Sequence, residues 1–217
     1  MTGDRMLRTL VLGVAAICWL DVAPARAQQA MTEPDALARS VTDEVLALMR
    51  ADKDIQSGNL AKVVDLVEKK ILPHFDFTRM TQLATGRYWQ QASPEQQKAL
   101  VNEFRALLVQ TYAATFASYR DQKIEYRPMR AEPADTDVVV KSLIYQSGGK
   151  PITVDYKMRK FDTGWKVYDV VIGDLSLVQS YRGTFGTEVQ RGGIDGLIKA
   201  LTEKNRQFNA EPQALRK

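Results

Sequence analysis

Ile152-Thr153-Val154-Asp155-Tyr156-Lys157-Met158-Arg159 alternates without a break: Ile152, Val154, Tyr156 and Met158 share one side, and Thr153, Asp155, Lys157 and Arg159 the other. Successive side chains of an extended chain point to opposite faces, so this stretch reads as a strand with one dry face and one wet face. Asp162-Thr163-Gly164 is a turn signal, and residues 165–173 beyond it are again rich in aromatic and β-branched side chains. Taken as a three-residue loop with Gly164 supplying the left-handed residue, the turn sets Phe161 opposite Trp165. That register pairs Met158 with Tyr168, Tyr156 with Val170 and Val154 with Ile172, all on the helix-facing side. It places Lys157 beside Asp169 on the outer face, where opposite charges support the pairing, and leaves both Asp155 and Asp169 facing solvent. A slip of one residue would turn Tyr168, Val170 and Ile172 to the other face.

Two more period-two segments precede this pair, at residues 123–130 and 137–146, the second closed by Ser147-Gly148-Gly149. Four strands in immediate succession, following a run of helical pattern, predict an α+β fold: a curved antiparallel sheet of about four strands packed by helices.

Upstream, Thr32 is placed to cap a helix, Pro34 suits its first turn, and Leu37, Val41, Val45, Leu48 and Met49 recur on one face. Ser57-Gly58-Asn59 interrupts that pattern. A second helix, with Leu60, Val63, Val64, Val67 and Ile71 inward, stops at Pro73, which lacks the N–H a helix needs. Phe75-Asp76-Phe77 leads into a short helix ending at Gly86. Ser93-Pro94-Glu95-Gln96 is the sharpest local signal, a capping box with Pro at the first helical position. It opens a long helix to about Tyr119 carrying Leu100, Phe104, Leu107, Leu108, Tyr112 and Phe116 as its apolar stripe. After the sheet, Leu175 to Tyr181 and Gly193 to Lys204 read as short helices, and the polar residues from Asn205 to Lys217 as a frayed end.

At the N-terminus, Arg5 and Arg8 precede the apolar run Leu10–Leu20 and a small-x-small site, Ala25-Arg26-Ala27. This reads as a secretory signal, residues 1–27, cleaved after about Ala27 and excluded from the fold. The run is too short for a membrane span, which needs roughly 20 residues, and Ile17 is too bulky before Cys18 for a lipoprotein anchor. The mature chain is expected to be a single domain over residues 28–205 with a flexible tail at 206–217. Without the signal the chain has 27 basic and 24 acidic residues, a net charge of +3. That falls far short of a nucleic-acid footprint. Cys18 is the sole cysteine, so neither a disulfide, a thiolate nucleophile nor a cysteine metal ligand is expected in the remainder.

Catalysis needs convergent groups of suitable pKa, and few are available. His74, the one histidine, follows Pro73 at a helix end, a capping or surface position. There is no G-x-S-x-G elbow, phosphate-cradling glycine loop, dinucleotide fingerprint or His/Cys metal cluster. A helix-covered sheet with a conical cavity is also how ketosteroid-isomerase-like enzymes are built, with a buried Asp base beside Tyr donors. Asp169 and Asp155 with Tyr112, Tyr156 and Tyr168 are the residues such an enzyme would use, but the register above puts both aspartates on the wet face. Neither catalytic nor metal-binding residues are assigned. There remains an apolar interior, and periodicity alone does not separate a filled core from a hollow one.

His74-Phe75-Asp76-Phe77-Thr78-Arg79-Met80 followed by Gly86-Arg87-Tyr88-Trp89 resembles the opening of the MlaC family, the periplasmic phospholipid-binding or toluene-tolerance auxiliary components of ABC transporters. The likeness continues in order through Phe104-Arg105-Ala106-Leu107-Leu108 with Tyr112, Trp165-Lys166-Val167-Tyr168-Asp169-Val170, Ser176-Leu177-Val178, Tyr181-Arg182, Phe185 and Gly196-Leu197-Ile198. It spans roughly residues 33–205; before Leu60 the match is one of pattern only. The resemblance implies an NTF2-like curved sheet around an apolar cavity, phospholipid tails inside it with the headgroup at the mouth, and neither cofactor nor covalent chemistry. It implies a periplasmic monomer that shuttles lipid between an outer-membrane lipoprotein–porin complex and an inner-membrane ABC transporter with MCE domains, maintaining outer-membrane lipid asymmetry. Another hydrophobe, such as a hopanoid, a quinone or a solvent, is the alternative cargo.

For such a carrier each buried methylene contributes about 0.8 kcal/mol, so two chains of about 16 carbons represent on the order of 20 kcal/mol of gross transfer free energy. The lining must be comparably apolar, and Phe77, Leu108, Tyr112, Val154, Tyr156, Met158, Tyr168, Val170 and Ile172 are the candidates. Arg182 is a candidate rim charge for the headgroup phosphate.

Overall fold

The structure, a computed structural model, describes residues 32–117, 122–146 and 148–210. The expected signal segment, Ser147 of the expected turn, the expected helix end at Tyr119 and the last seven residues lie outside them. Strands β1 (Lys123–Tyr126), β2 (Asp137–Tyr145), β3 (Ile152–Phe161), β4 (Gly164–Ile172) and β5 (Leu175–Ser176) form one antiparallel sheet in the order β1-β2-β3-β4-β5. The fold is α+β, as the change of period predicts, with a short fifth strand that the sequence pattern places in a helix. β1 is shorter than the expected 123–130, ending before Pro128, which has no N–H for the ladder.

The β3–β4 register carries the chief correction. Val154↔Ile172, Tyr156↔Val170 and Lys157↔Asp169 pair as expected, but Met158 stands opposite Val167 and Phe161 opposite Gly164. The loop is therefore the two residues Asp162 and Thr163, and Tyr168 is the extra residue of a β-bulge between Lys157 and Met158. The bulge reverses the parity of β4. Trp165 and Val167 before it, and Val170 after it, are all buried in the same apolar cluster. Tyr168 is displaced from that face and packs instead beside a cluster formed by the helices.

Helices α1 (Pro34–Ala51), α2 (Lys53–Gln56) and α3 (Leu60–Lys70) come first. Glu33, not Thr32, is the N-cap of α1, with Pro34 at its first position. Asp52 and Asn59 cap α2 and α3 through their side-chain oxygens. Leu48, expected on the inner face of α1, is 38% exposed. A 3-10 turn at Leu72–His74 leads to α4 (Phe77–Thr85), capped by Asp76 and closed by Gly86 at φ 57°. α5 (Pro94–Ala117) opens on the expected capping box: the Ser93 N–H donates to Gln96 Oε1 at 3.0 Å, and the Gln96 N–H to Ser93 Oγ at 3.3 Å.

The C-terminal region is one long kinked helix, α6 (Leu177–Ala210), where two short helices and a frayed end are expected. The kink falls at Gly192–Gly193, where Gly193 takes φ 67°. Phe185, Val189, Leu197 and Leu201 are buried along one side, so packing carries the helix through Gly183 and Gly186. Beyond Lys204 it is held by Asn205, whose Nδ2 donates to Glu103 O at 3.0 Å and Glu103 Oε2 at 2.7 Å. The far edge of β4 is also covered. The Asp76 N–H donates to Val167 O at 2.8 Å, and β5 pairs with Val171 and Ile172.

Candidate functional site

The buried apolar side chains fall into three separate clusters. One joins α4, α5 and α6 around Phe104 and Phe185; a second is the inner face of the sheet; the third joins α1, α2, α3 and Ala113 of α5. A hollow of about 340 Å³ lies between them, bordered by members of all three. This is within the size range of small-molecule sites.

The sheet contributes Ile124, Tyr126, Ile144, Val154, Tyr156, Met158, Val167, Val170 and Ile172 to the wall. Opposite stand Leu37, Val41, Val45 and Met49 of α1, Met80 of α4, and Leu108, Val109 and Tyr112 of α5. Among the described residues, no Asp, Glu, Lys or Arg lines the hollow, and its polar side chains are Thr42, His74, Tyr112, Thr115, Tyr126 and Tyr156. One end is wet: Ile172 is 40% exposed, whereas Met158 at the other end of β3 is 1% exposed.

The structure brings Phe77, Leu108, Tyr112, Val154, Tyr156, Met158, Val170 and Ile172 together on this wall. Tyr168, expected with them, is not among the lining residues, because the bulge takes it off the inner face. The lining residues beyond the sequence candidates include all seven from α1, together with Met80, Tyr126 and His74 and further apolar side chains such as Val67, Ile71, Ile124 and Ile144. The α1 stripe was legible as an apolar face, but nothing in its spacing distinguishes a face packed on protein from one bordering a void.

Burial disfavours ionisation of the polar groups. The Tyr126 hydroxyl lies 2.6 Å from Thr42 Oγ1 and 3.3 Å from Ala38 O, tying α1 to β1. Tyr156 stacks on Tyr126 at 6.3 Å. Burial pushes the Tyr156 hydroxyl far above its ordinary value, and the Tyr126 hydroxyl beside it adds to this. Tyr156 nevertheless keeps accessible surface, as expected of a side chain that faces an internal void rather than solvent. Burial, and then the neighbouring Tyr181, push Tyr112 up to about 12. His74, at the end of the 3-10 turn as expected and partly exposed, also borders the hollow. Burial lowers its pKa, Lys166 adds to that, and Glu44 opposes it.

Asp169 is not on a solvent face, as the simple alternation has it; it is 2% exposed. β5 and the start of α6 cover it, and it accepts from Lys157 Nζ at 3.1 Å, Ser176 Oγ at 2.7 Å and the Val178 N–H at 3.2 Å. It lies outside the hollow, with all its partners accounted for by packing and capping. Arg182 also stands away from the lining, with its guanidinium against Gly86, where a Cβ would meet it at 3.1 Å. A second, open groove of about 500 Å³ over α2 is lined by Lys53, Lys62, Lys69, Asp52, Asp54 and Asp65, a solvated surface of mixed charge. Among the described residues no group of His, Cys, Asp or Glu is placed to hold a metal, and no helix is long and apolar enough to cross a membrane.

A helix-wrapped antiparallel sheet whose core opens into a charge-free hollow defines an NTF2-like domain built around an apolar cavity. The family model described as MlaC protein matches residues 39–203. The chain belongs to the MlaC family. It is 24% identical over 177 residues to the intermembrane phospholipid transport system binding protein MlaC of Haemophilus influenzae, covering 80% of this chain and 83% of that one. It is 24% identical over 163 residues to the toluene tolerance protein ttg2D of Pseudomonas putida, covering 75% of each. Among solved structures it is similar to a phospholipid-binding protein of Ralstonia solanacearum in complex with a phospholipid. That similarity has 43% identity and a TM-score of 0.76, over 82% of this chain and 99% of that one.

Proposed function

We propose that this chain is a phospholipid carrier, with acyl tails in the hollow between the sheet and α1, α3 and α5 and the headgroup left at the wet end near Ile172. The observation that carries this reading is the lining. Among the described residues it has no Asp, Glu, Lys or Arg, and burial raises the Tyr112 and Tyr156 hydroxyls and lowers the His74 imidazole, so ionisation is disfavoured where acyl chains would lie. A headgroup at the mouth makes few desolvated contacts, so selectivity rests on the tails more than on the head. The chain performs no covalent chemistry and uses no cofactor; the phospholipid is cargo.

The names of the relatives support a place in an Mla-type system. There the chain works in the periplasm, as the soluble component moving phospholipid between an outer-membrane lipoprotein–porin complex and an inner-membrane ABC transporter with MCE domains, and so maintains outer-membrane lipid asymmetry. Handover takes place at a docked partner with its own apolar path, because release of the tails into water would forfeit on the order of 20 kcal/mol. The test is thin-layer chromatography and mass spectrometry of a solvent extract of mildly purified protein. Phospholipid in near-stoichiometric amount is expected. An extract free of lipid, or one containing only a quinone or hopanoid, would overturn the reading.

A further inference from the structure

Of the four methionines among the described residues, three border the hollow, and each belongs to a different apolar cluster: Met80 to the α4–α5–α6 cluster, Met158 to the sheet, and Met49 to the α1–α3 cluster. All three are deep, at 1%, 1% and 6% exposure. The fourth, Met129, packs against the sheet cluster and does not border the hollow. Most of the other apolar lining on the sheet is β-branched, with Ile124, Ile144, Val154, Val167, Val170 and Ile172 holding nearly fixed rotamers. Methionine is unbranched, with three rotatable bonds and a polarisable thioether, and it fills irregular space at little cost.

An apolar void costs stability in proportion to its volume when empty, and a stiff pocket discriminates about tenfold or more per methylene of its ligand. A soft group on each of the three clusters around the void is suited to offset both effects, since an unbranched side chain can fill space when cargo is absent and yield it to a longer chain. We infer that Met49, Met80 and Met158 are the residues that set how broad a range of acyl-chain lengths this protein accepts, by adjusting the deep part of the cavity to its occupant. This rests on the phospholipid reading above and deepens it.

The test offers full-length, delipidated protein mixed vesicles of phosphatidylglycerols with twelve-, fourteen-, sixteen- and eighteen-carbon chains in equal amounts. Bound lipid is then quantified by mass spectrometry. The wild type is expected to hold all lengths within about threefold of one another. Replacing the three methionines together by leucine, a volume-conserving but stiffer change, narrows the distribution so that the best and worst lengths differ by about tenfold or more. Met129→Leu leaves the wild-type distribution unchanged. Single Met80→Leu and Met158→Leu variants, each narrowing it partway, serve where the triple variant does not fold. Folded variants with the wild-type distribution would overturn the inference while leaving the carrier reading intact; a wild type that takes up no lipid would overturn both.

Discussion

Thr42 Oγ1 on α1 and the Tyr126 hydroxyl on β1 meet at 2.6 Å, joining residues 84 positions apart across the hollow. α1 supplies a quarter of the lining, seven residues from Leu37 to Met49; Leu37 and Ala38 also pack on the sheet cluster, and Val45 and Met49 on the α1–α3 cluster, so α1 is a wall packed on protein at both ends and open to the hollow between. Tyr126, whose hydroxyl also donates to Ala38 O at 3.3 Å, ties that wall to the sheet through hydrogen bonds beside the packing of Leu37 and Ala38.

Tyr126→Phe removes this fastening and keeps the ring. A loss of about 1 kcal/mol of stability is expected from the hydrogen bonds, with amide hydrogen exchange in α1 faster than in wild type while exchange in α5 is unchanged. Uniform exchange across both helices would show that Thr42 and Tyr126 do not hold the wall.

Val170 and Ile172 point into the same hollow at different depths, 8% and 40% exposed. A carboxylate at Val170 would be unpaired and desolvated, so Val170→Glu is expected to remove lipid loading, and Ile172→Glu, whose carboxylate reaches water, to weaken it by less. Lipid bound per folded protein, with circular dichroism as the control for folding, checks the order; equal loading in both variants would contradict the depth assigned here.

Tyr168→Phe tests the bulge. Because Tyr168 packs beside the helical cluster and not in the hollow, the variant should load lipid as wild type does. A loss comparable to that of Val170→Glu would restore the simple register.

Much of the fold is legible because its signals are local. The capping box at Ser93 and Gln96, the stop at Pro73 and the alternation of Ile152 to Met158 each depend on residues within one turn or one strand. Tyr168 and Asp169 depart from the simple alternation for a different reason. Alternation reads the same on either side of a bulge, and only the demand that both Val167 and Val170 be buried decides where the extra residue goes. Asp169 looks wet by alternation, yet the chain folds back over it at Ser176 and Val178. Eight of the nine candidate residues for the wall do border the hollow, whereas the α1 side was out of reach because an apolar stripe carries no record of what faces it.

Asp169 shows what that burial implies for stability. Asp169→Ala would leave Lys157 Nζ, Ser176 Oγ and the Val178 N–H without their acceptor. A destabilisation of about 2–4 kcal/mol is expected, the Lys157 contribution being at the low end because that side chain is one-third exposed. Urea unfolding measures it, and a change below about 0.5 kcal/mol would show that β5 and α6 are held by packing alone.

His74 gives the pH dependence. Its pKa in the folded chain lies below the ordinary 6.5, through burial and then Lys166. The unfolded chain therefore binds the proton more readily. Stability is full above about 6.5 and falls as pH drops from there through the folded value. His74→Gln should flatten this part of the profile in thermal melts between about pH 7.5 and pH 5; an unchanged slope would assign the dependence to other groups.

The most direct measurement is a crystal structure of protein purified without delipidation, at a resolution that shows acyl chains. Continuous density running from the wet end at Ile172 past Val154, Val170 and Leu108 towards Met158 is the predicted result. A hollow closed by its own side chains, with α1 packed onto β3 and lipid either missing or bound elsewhere, would contradict the account.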